Sequence, residues 1–275
     1  MSSKERLDIL LVNRGLFESR EKAKAAIMAG QIFMDTTRID KAGTKIPVDA
    51  NIVVKGNTLP YVSRGGLKLE KAIQTYPIDL QDAVMVDIGA STGGFTDCAL
   101  QNGAAKVFAI DVGYNQLAWK LRQDDRVVVM ENTNFRYSKL EDFTKGQPDL
   151  ATIDVSFISL QLILPTLHEI IQNNGDVIAL IKPQFEAGKE KVGKHGIVRD
   201  PKVHLEVLNK IISFAAEENY DVVELDFSPI TGGEGNIEFL VHLVSKESVG
   251  NISPSVNPEL IVKQAHATLD IKKKA

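Results

Sequence analysis

A chain of 275 residues is long for one domain and comfortable for a small domain joined to a medium one. Hydrophobic residues make up 44% and charged residues 25%, an ordinary soluble composition, and no apolar run approaches the roughly 20 residues that a membrane helix needs. The net charge of −4 argues against a nucleic-acid binder, but the charge is uneven: residues 1–71 carry 13 Lys and Arg against 8 Asp and Glu, and the remainder carries 19 against 28. A basic head on an acidic body suits a head that meets phosphate, although chance variation in solvated surfaces gives the same pattern.

Cys98 is the only cysteine, which excludes an internal disulfide and fits a cytoplasmic protein. The start, Met1 to Arg6, lacks the apolar stretch of a secretory signal. In the first segment, Leu7, Leu10 and Leu11 recur at helical spacing until Gly15 breaks the pattern. Ser19 is placed to cap a second helix that contains Ala23, Ala26 and Ile27 and stops at Gly30. Ile32 to Met34 and Ile52 to Val54 read as short strands. Residues 1–56 thus form a small α+β domain, and its cations Arg6, Arg20, Lys22 and Lys24 are candidates for RNA contact. Residues 57–66, with Pro60 and the Gly65-Gly66 pair, read as a linker.

A helix is expected over Leu67 to Tyr76. Apolar runs then begin at Val84, Val107, Val127, Leu150 and Val177, separated by helical patterns, which predicts a parallel sheet covered on both faces. Two last strands, around Val222–Phe227 and Ile237–Leu243, flank the loop Gly232-Gly233-Glu234-Gly235, which is too short for a crossover helix, so they should pair antiparallel. The expected fold class is α/β, with seven mostly parallel strands over residues 67–246 and the last strand antiparallel. Residues 247–275 read as a tail, partly disordered and ending in Lys272-Lys273-Lys274.

The strongest local signal is Asp87-Ile88-Gly89-Ala90-Ser91-Thr92-Gly93-Gly94-Phe95, between the first of these strands and a helix. Such glycines let the backbone turn tightly and approach a ligand. An acidic strand end repels a pyrophosphate and suits a ligand with an ammonium and hydroxyls, such as S-adenosylmethionine. Asp111 ends the next strand, where a carboxylate can grip ribose hydroxyls, and Asn132 follows the third. We therefore expect Asp87, Gly89, Ala90, Ser91, Gly93, Gly94, Phe95, Asp111, Asn132 and Asp154 to hold the methyl donor. The spacing is not that of a nicotinamide fingerprint. Gly188 to Lys194 nearly makes a phosphate loop, but His195 follows where magnesium needs a hydroxyl. Lys189 and Lys194 then read as a basic loop, either an RNA-contacting lid or plain solvated surface. No histidine cluster has metal-ligand spacing, so no metal is expected.

Three methyl acceptors can be weighed. A base carbon needs a cysteine nucleophile, and Cys98 lies among Ala99 and Leu100 as a core residue. An exocyclic amine calls for a proline-rich turn after the fourth strand, where this chain has Asp154-Val155-Ser156-Phe157. A hydroxyl needs a group to steer it or take its proton, and Lys182 at the end of the fifth strand can do either. A lysine there would be partly desolvated, which lowers its pKa; a second lysine nearby would lower it further, while carboxylates would oppose this and orient it.

In chain order, Lys68, Asp154, Lys182 and Glu238 resemble the Lys-Asp-Lys-Glu tetrad of the FtsJ-like ribose 2′-O-methyltransferases, which implies that Asp154 and Glu238 orient Lys182 and that Lys68 depresses its pKa or holds the nucleotide; for any one of them alone, strand-end polarity or a structural ion pair is the better explanation. The glycine segment resembles that family's cofactor motif, with Ser91-Thr92 where alanine-proline is common. Ser19 to Ala23 and Gly30 to Ile32 resemble the alpha-L (S-four-like) RNA-binding domain. The combination, with Ser63-Arg64-Gly65-Gly66-Leu67-Lys68 and Lys182-Pro183-Gln184-Phe185-Glu186, is similar to the TlyA family, also called hemolysin A. This resemblance implies a Rossmann-like methyltransferase that uses S-adenosylmethionine on cytidine riboses of ribosomal RNA or ribosomal subunits, with Arg64 among the RNA contacts. Two other classes stay open: a membrane-active hemolysin, for which no amphipathic or spanning segment is visible, and a non-catalytic RNA-binding assembly factor.

Overall fold

A computed structural model describes residues 4–28, 30–35, 37–55, 59–232 and 235–271. Part of the linker (56–58), Gly233-Glu234 of the glycine loop and the terminal lysines 272–274 lie outside the described residues. The chain packs into two units, residues 1–60 and 61–275.

The first unit is built around two short helices. Strand β1 (Lys4–Arg6) leads directly into α1 (Leu7–Asn13), and α2 (Arg20–Met28) follows. Gly15, with φ +69°, ends the first helical stretch. Ser19 caps α2 as expected, its Oγ accepting from the Lys22 N–H at 3.3 Å. Then come β2 (Ile32–Met34), β3 (Thr37–Arg38), β4 (Lys45–Pro47) and β5 (Ile52–Val54). β2 pairs antiparallel with β3 and β5, and β1 with β4. β1, β3 and β4 span only two or three residues, too few for any sequence period to register. Leu7, Leu11, Ala23, Ile27 and Ile32 are fully buried between helices and strands.

The second unit runs α3 (Gly66–Thr75), β6 (Val84–Ile88), α4 (Gly94–Gln101), β7 (Lys106–Ile110), α5 (Trp119–Arg122), β8 (Val127–Met130), β9 (Leu150–Ile153), α6 (Leu164–Ile170), β10 (Asp176–Ile181), α7 (Pro183–Glu186), α8 (Pro201–Glu217), β11 (Tyr220–Phe227), β12 (Phe239–Ser245) and α9 (Pro258–Ile271). Its sheet has seven strands in the order β11-β12-β10-β9-β6-β7-β8. β10, β9, β6, β7 and β8 are parallel, and β12 is antiparallel to both its neighbours. Alternate strand residues feed two cores. Val86, Ile88, Phe108 and Ile153 face one side, and Met85, Val107, Leu150 and Ile178 face the other. The chain leaves β6 towards β7 on one side and returns to β9 on the other. A crevice opens between their carboxyl ends, where ligands bind in open α/β sheets.

Three sequence expectations shift. Tyr61 and Gly66 are buried in the second unit rather than lying in a loose connection, and the helix begins at Gly66. The last strand begins at Phe239, because the ladder opens at the Ile181–Phe239 pair and Ile237 and Glu238 precede it. The stretch after residue 246 is not loose: α9 places Val262, Ala265 and Leu269 in the core beneath α8 and β11. Its apolar residues recur at helical spacing within a polar, Ser/Pro-flanked segment, which masks them. Among the described residues no helix is long and apolar enough to cross a membrane. Truncating Leu269, 3% exposed, tests the helix directly. Leu269→Ala should cost the second unit about 2–4 kcal/mol in urea unfolding, and a change below about 0.5 kcal/mol would mean that α9 does not pack.

Candidate active site

Strand polarity assembles the site. β9 and β10 are parallel, so Asp154 and Lys182, the residues after each, emerge at the same edge. β12 runs the other way, so Glu238, the residue before it, reaches that edge too. Lys68 sits on the first turn of α3, and its Nζ enters from that helix. It donates to Glu238 Oε2 at 2.7 Å and to Asp154 Oδ2 at 3.2 Å. Lys182 Nζ contacts Asp154 Oδ1 at 2.5 Å and Ser156 Oγ at 3.4 Å. Asp154 therefore bridges the two lysines, one on each oxygen. Lys68, Lys182 and Glu238 are all at least nine-tenths buried.

Two positive and two negative groups in one buried cluster stabilise one another's charge. Burial pushes Lys68 down, but Asp154 and Glu238 outweigh it and its pKa is raised. Burial pushes Asp154 up, yet the two lysines overcome it and hold the carboxyl below its ordinary range. Lys68 is thus a fixed cation. The sequence expectation gave it, as one option, the work of lowering its neighbour's pKa, but in this geometry its charge is spent on two carboxylates.

The glycine turn lines the same crevice, which encloses about 590 Å³, within the range of small-molecule sites. Gly89, at φ +86°, passes so close to the loop after β9 that a Cβ there would lie 2.6 Å from the Asp154 carbonyl oxygen. Asp87 is fully buried; its carboxylate accepts from Thr96 N–H at 3.1 Å, Thr96 Oγ1 at 2.6 Å and Thr152 Oγ1 at 2.9 Å. Burial pushes its pKa up to about 6. Ala90, Ser91, Gly94 and Phe95 also line the crevice, whereas Gly93, at φ +98°, is packed against Leu117 and Leu121 and shapes the turn.

A second hollow of about 350 Å³ adjoins the first through Gly89, Ser91 and Asp154. Asp111 lies in it, accepting from the Ser91 N–H at 2.8 Å and the Gly113 N–H at 2.7 Å, beside Ile110, Gln116 and Asn134. Asn132 lines neither hollow. It is exposed, at φ +52°, and its N–H donates to Gly113 O at 3.0 Å, so it shapes the wall that its neighbours Thr133 and Asn134 line.

Of the basic candidates, Arg64 is exposed at the crevice rim, and Lys189 and Lys194 are exposed in the two short turns of the loop before α8. In the first unit, Arg6 and Arg20 both bind the fully buried Asp8, at 3.0 and 2.8 Å, while Lys22 pairs with Glu18 and Lys24 is half-buried. Hydrogen bonding by Arg6, reinforced by Arg20, holds the Asp8 carboxyl far below the usual range. These two arginines are partly committed to the fold.

Sequence reasoning did not single out Phe157, Gln184, Phe185 or Asn236, all of which line the crevice. Phe157 is 91% exposed at φ +64°, its ring centroid 5.0 Å from that of Phe185. Its ring is held out of the core on a backbone conformation that side chains other than glycine seldom adopt, and only its place beside Asp154 in the sequence could have pointed to it.

The model of the FtsJ-like methyltransferases matches residues 61–245, and that of the S4 domain matches residues 5–52. The Bacillus subtilis chain YqxC, named as a candidate rRNA methyltransferase, is 62% identical over 274 residues, covering 99% of this chain and 98% of the relative. A Mycobacterium tuberculosis chain named 16S/23S rRNA (cytidine-2′-O)-methyltransferase TlyA is 41% identical over 244 residues, 88% of this chain and 91% of the relative. A solved structure from Streptococcus thermophilus, described as a candidate hemolysin, superposes with a TM-score of 0.80 at 51% identity, over 100% of both chains.

The buried tetrad makes a stability prediction. Lys68→Met takes the buried Glu238 carboxylate's cation and one of the two that Asp154 holds, and should cost about 3–5 kcal/mol in urea unfolding of the second unit. Adding Glu238→Leu should recover a large part of that loss. A single-variant cost below about 1 kcal/mol would contradict the buried arrangement.

Proposed function

The chain belongs to the FtsJ-like methyltransferases and carries an S4 domain ahead of the catalytic unit, and on that premise we propose that it methylates a ribose 2′-hydroxyl, at cytidine, in ribosomal RNA, using S-adenosylmethionine in the cytoplasm. The observation that carries this reading is the buried Lys68–Asp154–Lys182–Glu238 cluster at the rim of the glycine-turn crevice. The names of the Bacillus and Mycobacterium relatives support the choice of substrate.

The residues present fit the methyl donor. The first hollow has an acidic floor at Asp87, which favours a cationic ligand, and backbone at Gly89 and Gly94 that lets a ligand come close. The adjoining hollow offers Asp111 beside apolar Ile110 and Ile158, a setting for ribose hydroxyls and a flat base. When bound there, S-adenosylmethionine supplies a methyl group on a sulfonium, open to in-line displacement by oxygen.

The chain's own part is positioning. An ammonium has three donor hydrogens, and Lys182 directs two at Asp154 and Ser156. The third is left to the crevice, where it steers the 2′-oxygen towards the methyl carbon. A lysine held as a donor in this way suits steering better than proton abstraction, so the hydroxyl proton leaves to solvent as the carbon–oxygen bond forms. Lys68 keeps Asp154 and Glu238 in place and Asp154 anionic. Phe157, exposed over the crevice with Phe185 behind it, gives the target nucleobase a face to stack on. Arg64, Lys189 and Lys194 supply charge for the backbone phosphates.

Two measurements test this reading. Transfer of labelled methyl from S-adenosylmethionine to purified ribosomal subunits should fall about 10²–10⁴-fold in Lys182→Ala, with RNA affinity within about threefold of the unmodified chain. Transfer at the unmodified rate would refute the mechanism, and dye release from vesicles without methyl transfer would favour the hemolysin class. Donor affinity should also depend on pH. Ionised Asp87 attracts a cation and protonated Asp87 does not, so with half the carboxyls ionised near pH 6 binding should approach its full strength roughly a unit above that and weaken by up to about tenfold per unit below it. Calorimetry at pH 7.5 and 5 should show this loss in the unmodified chain and not in Asp87→Asn; equal loss in both would remove Asp87 from the site.

A further inference from the structure

The ladder between β9 and β10 ends at the Ile153–Ala179 pair. Asp154 and Lys182 both lie beyond it, so although Asp154 N–H still donates to Ile88 O on β6 at 3.0 Å and Ile181 still pairs with Phe239, no backbone bond between β9 and β10 sets the distance between their two side chains. Three side-chain contacts take over, in step along the two departing segments. Lys182 meets Asp154 and Ser156, Phe185 meets Phe157, and Glu186 meets the Ser159–Leu160 turn. The last contact is the most enclosed. Glu186 is 6% exposed; its Oε2 accepts from Ser159 Oγ at 2.6 Å and its Oε1 from the Leu160 N–H at 2.8 Å. Its own carbonyl accepts from Lys210 Nζ at 3.4 Å, which ties the end of α7 to α8.

We infer that Glu186 is a positioning residue for methyl transfer, a buried clamp that holds the loop bearing Asp154 against the turn bearing Lys182 and so sets the direction of the lysine ammonium. The inference rests on the reading of the site given above. Burial pushes the Glu186 carboxyl up, so placing it here costs free energy that an apolar residue of similar size would not. What the carboxylate supplies instead is direction: two acceptors on a rigid fork, meeting a hydroxyl and a backbone N–H one residue apart. The four residues after Lys182, Pro183 to Glu186, form a single turn, α7, opened by that proline, so a shift at Glu186 passes to Lys182 with little slack. Displacements of about 1 Å at a reacting group cost on the order of 10²-fold in rate.

The test uses the full chain, ribosomal subunits as acceptor and S-adenosylmethionine as donor. Glu186→Ala should lower kcat about 10–100-fold while KM for the subunits and calorimetric donor affinity stay within about threefold. Glu186→Gln should return kcat to within about threefold of the unmodified chain, because its Oε1 can still accept from Leu160 and its Nε2 can donate to Ser159 Oγ. Ser159→Ala removes one of the two bonds, leaves the buried carboxylate its Leu160 partner, and should lower kcat about three- to tenfold; it carries the test by itself if Glu186→Ala does not fold. Unchanged kcat in both Glu186→Ala and Ser159→Ala would overturn the inference. So would a Glu186→Gln variant as slow as Glu186→Ala, since charge rather than hydrogen bonding would then be what matters, and so would a loss confined to KM. An unmodified chain that transfers no methyl at all would instead refute the reading of the site, before any variant is compared.

Discussion

The bridge made by Asp154 between two lysines is the contact on which the rest of the catalytic unit depends. Each carboxylate oxygen takes one ammonium, so the pair Lys68 and Lys182 is held at a spacing set by a single rigid fork. That bridge exists only because three strand ends and a helix meet at one edge of the sheet. Two parallel strands deliver Asp154 and Lys182, and one reversed strand delivers Glu238. With β12 parallel, Glu238 would lie at the opposite edge, and Lys68 would lose the partner that it contacts at 2.7 Å. The antiparallel strand is therefore part of what assembles the tetrad as well as of the sheet.

The glycine turn serves the same edge by a different route. Backbone rather than side chain closes the crevice where Gly89 crosses the loop carrying Asp154, so the two adjoining hollows share one wall. Asp87 lines the floor of that crevice, bonded to Thr96 and Thr152. Its three internal hydrogen bonds, from one backbone N–H and two hydroxyls, give it a structural duty and fix the direction in which its charge faces the crevice.

Much of this was legible in the sequence because it rests on period and order. Continuous apolar runs read as parallel strands, and a short glycine loop read as a reversal. Those two readings alone place Asp154, Lys182 and Glu238 at one edge. Other features depend on contacts that no period encodes. α9 looked like a loose tail because its buried face, Val262, Ala265 and Leu269, is sparse and its flanks are polar. Asn132 looked like a ligand residue from its place after a strand, yet its backbone turns it outward. Arg6 and Arg20 looked like free cations until the fold put Asp8 between them. Phe157 and Glu186 are the counterpart: an exposed aromatic and a buried acid, each the reverse of its usual habit, whose purpose emerges only when the segments after β9 and β10 lie side by side.

The account stands on the transfer of a methyl group to a ribose oxygen, and nucleoside mass spectrometry of ribosomal RNA reads that product directly. Ribosomes from cells lacking this chain, incubated with it and S-adenosylmethionine, should gain 2′-O-methylcytidine that is absent without it. If the ribose-methylated nucleosides are unchanged while the chain is folded and bound to the particles, the central claim is wrong.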